Sequence, residues 1–164
     1  MHLLLEHLPG LPEAAWRAAA AGIVASEGEI SRTELDDLFD EAATCLTTPA
    51  LAPLFVPDAL AEVSLVADSA VLGRRLSGQI DRLILAPDRV LAVDFKTNAV
   101  MPDRPEATPE GLLRQLGAYA EMLAAIYPDR SVETAILWTR TAHLMPLPAA
   151  LTTPALARAA SDLT

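Results

Sequence analysis

The chain is poor in several residue types, and each shortage removes a class of protein. It has one cysteine, Cys45, in 164 residues. A lone thiol excludes an intrachain disulfide and any four-cysteine zinc or iron–sulfur site. Cys45 falls in a helical pattern and is expected to be buried and inert. Aromatic residues make up only 4%, so the core must be built from Ala, Leu, Val and Ile. Apolar residues reach 52%, yet charges interrupt every long run. None has the roughly 20 uncharged residues that cross a bilayer, so no membrane partner is expected. The opening M-H-L-L-L-E-H-L-P lacks the basic region and cleavage site of a secretory signal; a reducing cytoplasm is the expected location. No G-x-x-x-x-G-K-[ST] phosphate loop occurs, so ATP hydrolysis by this chain is not expected.

Positive charge is also scarce. Twelve Lys and Arg face 22 Asp and Glu, for a net charge of −10. That balance argues against a broadly basic nucleic-acid face. The distribution is uneven, however. Arg74, Arg75, Arg82 and Arg89 fall close together, with Lys96 and Arg104 behind them, while acids gather at Glu27–Glu41. A local basic strip on an acidic protein stays open.

The length suits one domain, 1–164, with a helical N-terminal part over 1–60 and a core over 61–140. His2 to Leu8 reads as the tail of a helix, broken by Pro9-Gly10 and Pro12. Glu13 to Ala25 is Ala-rich and helical, and Gly28 ends it. Ser31 and Glu34 form a capping box, S-x-x-E, that opens a helix to about Leu46. Asp36, Asp37, Asp40 and Glu41 are its expected solvated side. Pro49 to Phe55 reads as a short helix.

From residue 61 the period changes from helical to alternating, and strands are expected near 61–68, 71–86 and 89–96. Gly73 and Gly78 mark turn or bulge points. A loop over 98–109 leads to a helix from Pro109 to about Ile126. A strand at 132–139, a short one at 142–147 and a helix over 154–163 complete an α/β sandwich: a central mixed sheet flanked by helices.

One arrangement carries chemistry. G-Q-I-D-R-L ends an apolar run at Asp81, and V-D-F-K-T places Asp94 and Lys96 at the end of another. Residues 94 and 96 face one side of a strand, because side chains alternate with period two. Charges at the ends of apolar strands are costly without a purpose. Two carboxylates on neighbouring strands can meet at a divalent cation, which supplies an activated water and relieves charge on a phosphodiester. Oxygen donors suit Mg2+, with Mn2+ as a substitute. In that arrangement Asp81 and Asp94 bind metal, Lys96 reaches the water or the phosphate, and the Phe95 carbonyl can add a ligand. The plainer alternative is an Asp–Lys ion pair on a strand.

G-Q-I-D-R-L, V-D-F-K-T, Q-L-G-A-Y-A and the leading H-L-L-L-E-H-L-P together resemble the RecB-like branch of the PD-(D/E)XK nuclease superfamily. The similarity is greatest to the C-terminal nuclease domain of bacterial AddA helicase–nucleases, and it covers nearly the whole chain. It implies a restriction-endonuclease-like fold and a metal-dependent DNA nuclease that trims ends in double-strand break repair and recombination. It implies DNA, helicase domains and an AddB-like subunit as partners, and a location at the bacterial nucleoid. It makes Asp81 and Asp94 metal ligands, Lys96 the catalytic lysine and His2 a further ligand or metal-side residue. Gln115 and Tyr119, four apart on one helix face, would line the site, and Glu62 matches a carboxylate near it. Arg82 either touches a phosphate or neutralises Asp81. His7 and His143 are read as structural.

The absence of helicase motifs implies a fragment, or a split or truncated gene. Leu3, Leu4, Leu5 and Leu8 are then expected to be exposed, for packing on preceding helicase chain. A competing role is a nuclease-like docking module with little activity of its own.

Overall fold

The computed structural model describes residues 1–98 and 100–161. Five helices and five strands are present among them, with short 3-10 turns between. The helices are α1 (His2–His7), α2 (Trp16–Glu27), α3 (Arg32–Thr47), α4 (Glu110–Ile126) and α5 (Ala149–Ser161). The strands are β1 (Leu60–Ser69), β2 (Arg74–Leu85), β3 (Arg89–Lys96), β4 (Ser131–Trp138) and β5 (His143–Leu147). They form one sheet in the order β1-β2-β3-β4-β5. Neighbours are antiparallel except β3 and β4, which run parallel with α4 as the crossover. The expected meander and mixed sheet are therefore present.

Side-chain alternation explains the three layers. On β3, Val90 and Ala92 join one core with Ile136, Leu116 and Leu123, beneath α4 and α5. Val93 and Phe95 point the other way, into a second core with Leu4, Leu5, Leu8, Ala42 and Cys45 from α1–α3. Covering both faces buries Ala92 to Phe95 and Thr134 to Trp138 without a break, which is why these strands read as solid apolar runs rather than alternating ones. No helix among the described residues is long and apolar enough to cross a membrane.

Local signals set most boundaries. The Ser31 hydroxyl accepts from Glu34 N–H at 3.2 Å, and the Glu34 carboxylate accepts from Ser31 N–H at 3.0 Å. This closes the capping box at the start of α3. Gly73 takes φ +61° in the turn between β1 and β2, where a side chain would be strained. Glu121 of α4 clamps that turn, accepting from the Ser69 hydroxyl and from Val71 N–H.

Four expectations need correction. Gly78 makes no bulge, since β1 and β2 stay in register on both sides of it. Pro154 lies inside α5 rather than at its start, because the helix begins five residues earlier and packs against α4. Packing on α4 outweighs the one backbone hydrogen bond a proline removes. The expected helix end at 162–163 lies outside the described residues. Glu41 is not wholly solvated: its carboxylate accepts from the buried Thr139 hydroxyl. Leu4, Leu5 and Leu8 are fully buried and Leu3 half-buried, so the expected exposed leucine surface is internal core. Cys45 is buried as expected.

Two glycines in helices should respond in opposite ways to alanine. A Cβ on Gly117 would fall 2.5 Å from the Thr152 carbonyl oxygen of α5, whereas one on Gly22 meets nothing within 4 Å. Gly117→Ala should destabilise the fold by about 1–3 kcal/mol. Gly22→Ala should stabilise it by roughly 0.5–1 kcal/mol. Chemical denaturation of the two variants checks both signs. Burial also pushes the Cys45 thiol up to about 12, so in native protein it should resist thiol reagents that label it at once after unfolding.

Candidate active site

The site forms where β2 and β3 part. Their ladder runs from Leu85–Val90 to Arg82–Val93 and stops. Asp81 and Asp94 are the next residues beyond that last pair. Backbone groups past the end of the ladder need new partners, and side chains provide them. The Asp81 carboxylate accepts from Phe95 N–H. The Tyr119 hydroxyl, from α4, donates to the Gln79 carbonyl at 2.7 Å.

Asp94 sits on the α4 face of β3 and is 3% exposed. Gln115 of α4 donates from its amide to Asp94 Oδ1 at 2.9 Å, and the same nitrogen lies 2.9 Å from the Tyr119 hydroxyl oxygen. Lys96 Nζ approaches Asp94 Oδ2 to 2.7 Å. The ammonium is thus a charged partner for that buried oxygen. Burial raises the Asp94 pKa, and the Lys96 charge only partly opposes this. Burial likewise raises Tyr119, keeping its hydroxyl neutral and able to donate.

His2, the first residue of α1, reaches the cluster from the opposite face. Its Nε2 lies 3.6 Å from Asp81 Oδ2. Its ring stacks on Phe95 at 5.9 Å between centroids, 17° from parallel. Contact with the Asp81 carboxylate raises the His2 pKa, against burial. Asp94, Lys96, Gln115 and Tyr119 form one set of contacts and Asp81 and His2 another, joined where the Asp81 carboxylate accepts from Phe95 N–H.

Glu62 stands on β1 at the level of Asp81, between the pairs Ala61–Arg82 and Val63–Ile80. It adopts φ +51° inside a strand, a strained conformation for a side-chain-bearing residue, and its carboxylate accepts from the Gln79 amide. Glu62 therefore lies on the rim, one hydrogen bond from the residue whose carbonyl holds Tyr119.

Arg82 feels the Asp81 charge without pairing with it. It is 4% exposed, turned away toward α1, and makes no ion pair with Asp81. Two arginines of the expected basic strip are committed to acids. Arg75 pairs with Asp68 and Arg89 with Glu133, and they sit at opposite ends of the long β2 hairpins. His7 and His143 are exposed at the surface, outside these contacts.

The sequence also missed one residue of the site. A Cβ on Gly78 would lie 2.6 Å from Tyr119 Cε1. Gly78 is there to let the tyrosine ring lie on β2, and a glycine inside a strand was the available signal of such a close approach.

A divalent cation fits the donors present. The acceptors are the hard oxygens of the Asp81 and Asp94 carboxylates. Among the described residues no three His, Cys, Asp or Glu side chains converge as a cage.

A carboxyl whose folded pKa is raised favours folding only while it is protonated, and the contribution is lost as pH rises through the folded pKa. Above that pH the ionised Asp94 opposes folding. Without divalent metal, Asp94→Asn should melt higher than wild type at neutral pH, and the gain should vanish below the ordinary carboxyl range. A variant that melts lower at neutral pH would mean that Lys96 attraction outweighs burial.

Residues 1–156 match the family model of the PD-(D/E)XK nuclease superfamily. The comparison with curated proteins finds no match.

Proposed function

The chain belongs to the PD-(D/E)XK nuclease superfamily, and on that premise we propose that it is a Mg2+-dependent deoxyribonuclease whose site is Asp81, Asp94 and Lys96. The observation that carries this reading is the pairing of Lys96 with a buried Asp94 that Gln115 fixes from α4, beside Asp81 at the end of the ladder. Buried charges without such a task are costly. Asp81, Asp94 and the Phe95 carbonyl would hold the cation, with His2 beside Asp81. When bound, the cation supplies a water of lowered pKa and relieves charge on the phosphate.

The protein's own groups do the rest. Gln115 holds Asp94 in one rotamer, and Tyr119, anchored on the Gln79 carbonyl, fixes Gln115. Lys96 projects from the same face as Asp94 and carries its charge to the attacking water or to a phosphate oxygen. Its ammonium stays paired to Asp94 until substrate arrives, so the buried carboxylate is never wholly unneutralised. The motifs around His2, Asp81, Asp94 and Gln115 support a finer assignment to the nuclease domain of AddA-type helicase–nucleases. End trimming in break repair, beside helicase domains and an AddB-like subunit, follows from that assignment.

Cleavage of an end-labelled DNA single strand under Mg2+ or Mn2+ tests the proposal, paired with calorimetric titration of the metal. Lys96→Ala should cut roughly 10²–10⁴-fold more slowly and still bind metal. Asp94→Ala should lose both cleavage and binding, because it removes a charged ligand. Wild-type cleavage by Lys96→Ala would leave Lys96 a structural ion-pair partner.

A further inference from the structure

We propose that Arg82 is a positioning residue: it substitutes for a backbone donor that Pro9 lacks and so pins α1 where His2 meets Asp81. This rests on the reading of His2 as part of the site. In an α-helix the carbonyl of residue 5 accepts from the N–H of residue 9. Position 9 is proline, which has none. Leu8 still has helical dihedrals, so the Leu5 carbonyl faces the place where that N–H would be. The Arg82 guanidinium donates to it instead, across 77 residues of chain.

The rest of the Arg82 environment agrees with this role, the charges of Glu6, Glu62 and Asp81 only partly offsetting its burial. Its guanidinium is buried with Nε unpaired, and no carboxylate lies within ion-pair distance among the described residues. Burying a guanidinium so is costly, and an aliphatic side chain would fill the space without that cost. The guanidinium lies over the Phe55 ring at 5.3 Å. Phe55 packs on Phe95 at 6.5 Å between centroids, and Phe95 on the His2 imidazole at 5.9 Å. Arg82 thus reaches His2 by two routes: through one turn of α1, and through a chain of three ring contacts, Phe55 tilted on Phe95 and Phe95 stacked on His2. Asp81 and Arg82 are consecutive on β2, so one strand position sets both the carboxylate and the histidine that faces it.

The test is the NMR signal of the His2 ring in metal-free, DNA-free protein. Stacking on Phe95 displaces its proton resonances from those of free histidine. In Arg82→Met they should move back toward free histidine, while amide signals of β3 and β4 stay in place. Adding Pro9→Ala to Arg82→Met supplies the missing N–H and should restore the wild-type His2 signals. If Arg82→Met does not fold, Arg82→Lys, which keeps a donor, should fold with His2 stacked. Unchanged His2 signals in Arg82→Met, no restoration by Pro9→Ala, or an unstacked His2 in Arg82→Lys would each overturn the proposal.

Cleavage gives a second readout. Arg82→Met should slow it roughly 10-fold or more, but add nothing in a His2→Ala background; additive losses would contradict a role through His2. The ring signals do not depend on whether the chain cuts DNA. A nuclease reading that fails therefore leaves the Arg82–His2 coupling tested on its own.

Discussion

The structure turns on the point where β2 and β3 stop pairing. Up to Arg82–Val93 the two strands satisfy each other's backbone, and both faces are covered by apolar cores. One residue further, polar side chains complete the accounting. The Asp81 carboxylate takes a β3 amide and the Tyr119 hydroxyl takes a β2 carbonyl. The acids are thus held by the ends of a rigid sheet rather than by loops. Such support is what a catalytic constellation requires. Asp94 is expensive to bury, and burial pushes its carboxyl pKa up. Gln115 and Lys96 make the arrangement tolerable, and a cation would complete it.

Much of this was legible in the sequence because it rests on short-range rules. Apolar runs located β3 and β4, the Ser31–Glu34 pair located the start of α3, and the period of two put Asp94 and Lys96 on one face. What was hidden depends on tertiary contact. Nothing local distinguishes Arg82 beside an acid from Arg82 beneath a helix; the missing donor at Pro9 is 73 positions away in the chain. Gly78 signalled a close approach, but not that a tyrosine ring was what approached. Glu62 gave no sign of its left-handed backbone, since glutamate rarely adopts it. Leu4, Leu5 and Leu8 look like an interface in sequence and are core in space, because α1 supplies one wall of the second core.

The charge balance bears on how such a site would meet DNA. Several exposed arginines are committed to acids rather than to a basic surface: Arg17 to Asp36, Arg75 to Asp68, Arg89 to Glu133 and Arg158 to Glu110. With a net charge of −10, the chain attracts cations more readily than it attracts a polyanion. Lys96, its only lysine, stands at the acids rather than on an open basic patch. On this account the bound metal is part of the substrate's electrostatic attraction as well as of the chemistry.

The proposed site has the strand ends hold one divalent cation between Asp81 and Asp94. Titration with Mn2+, followed by paramagnetic broadening of assigned NMR signals, tests it most directly. The account predicts that the Phe95 amide and the Gln115 side-chain amide broaden first, and that Asp81→Asn abolishes this effect. Broadening that begins instead along the acidic face of α3, at Asp36, Asp37 and Asp40, with the Phe95 and Gln115 signals intact, would contradict it.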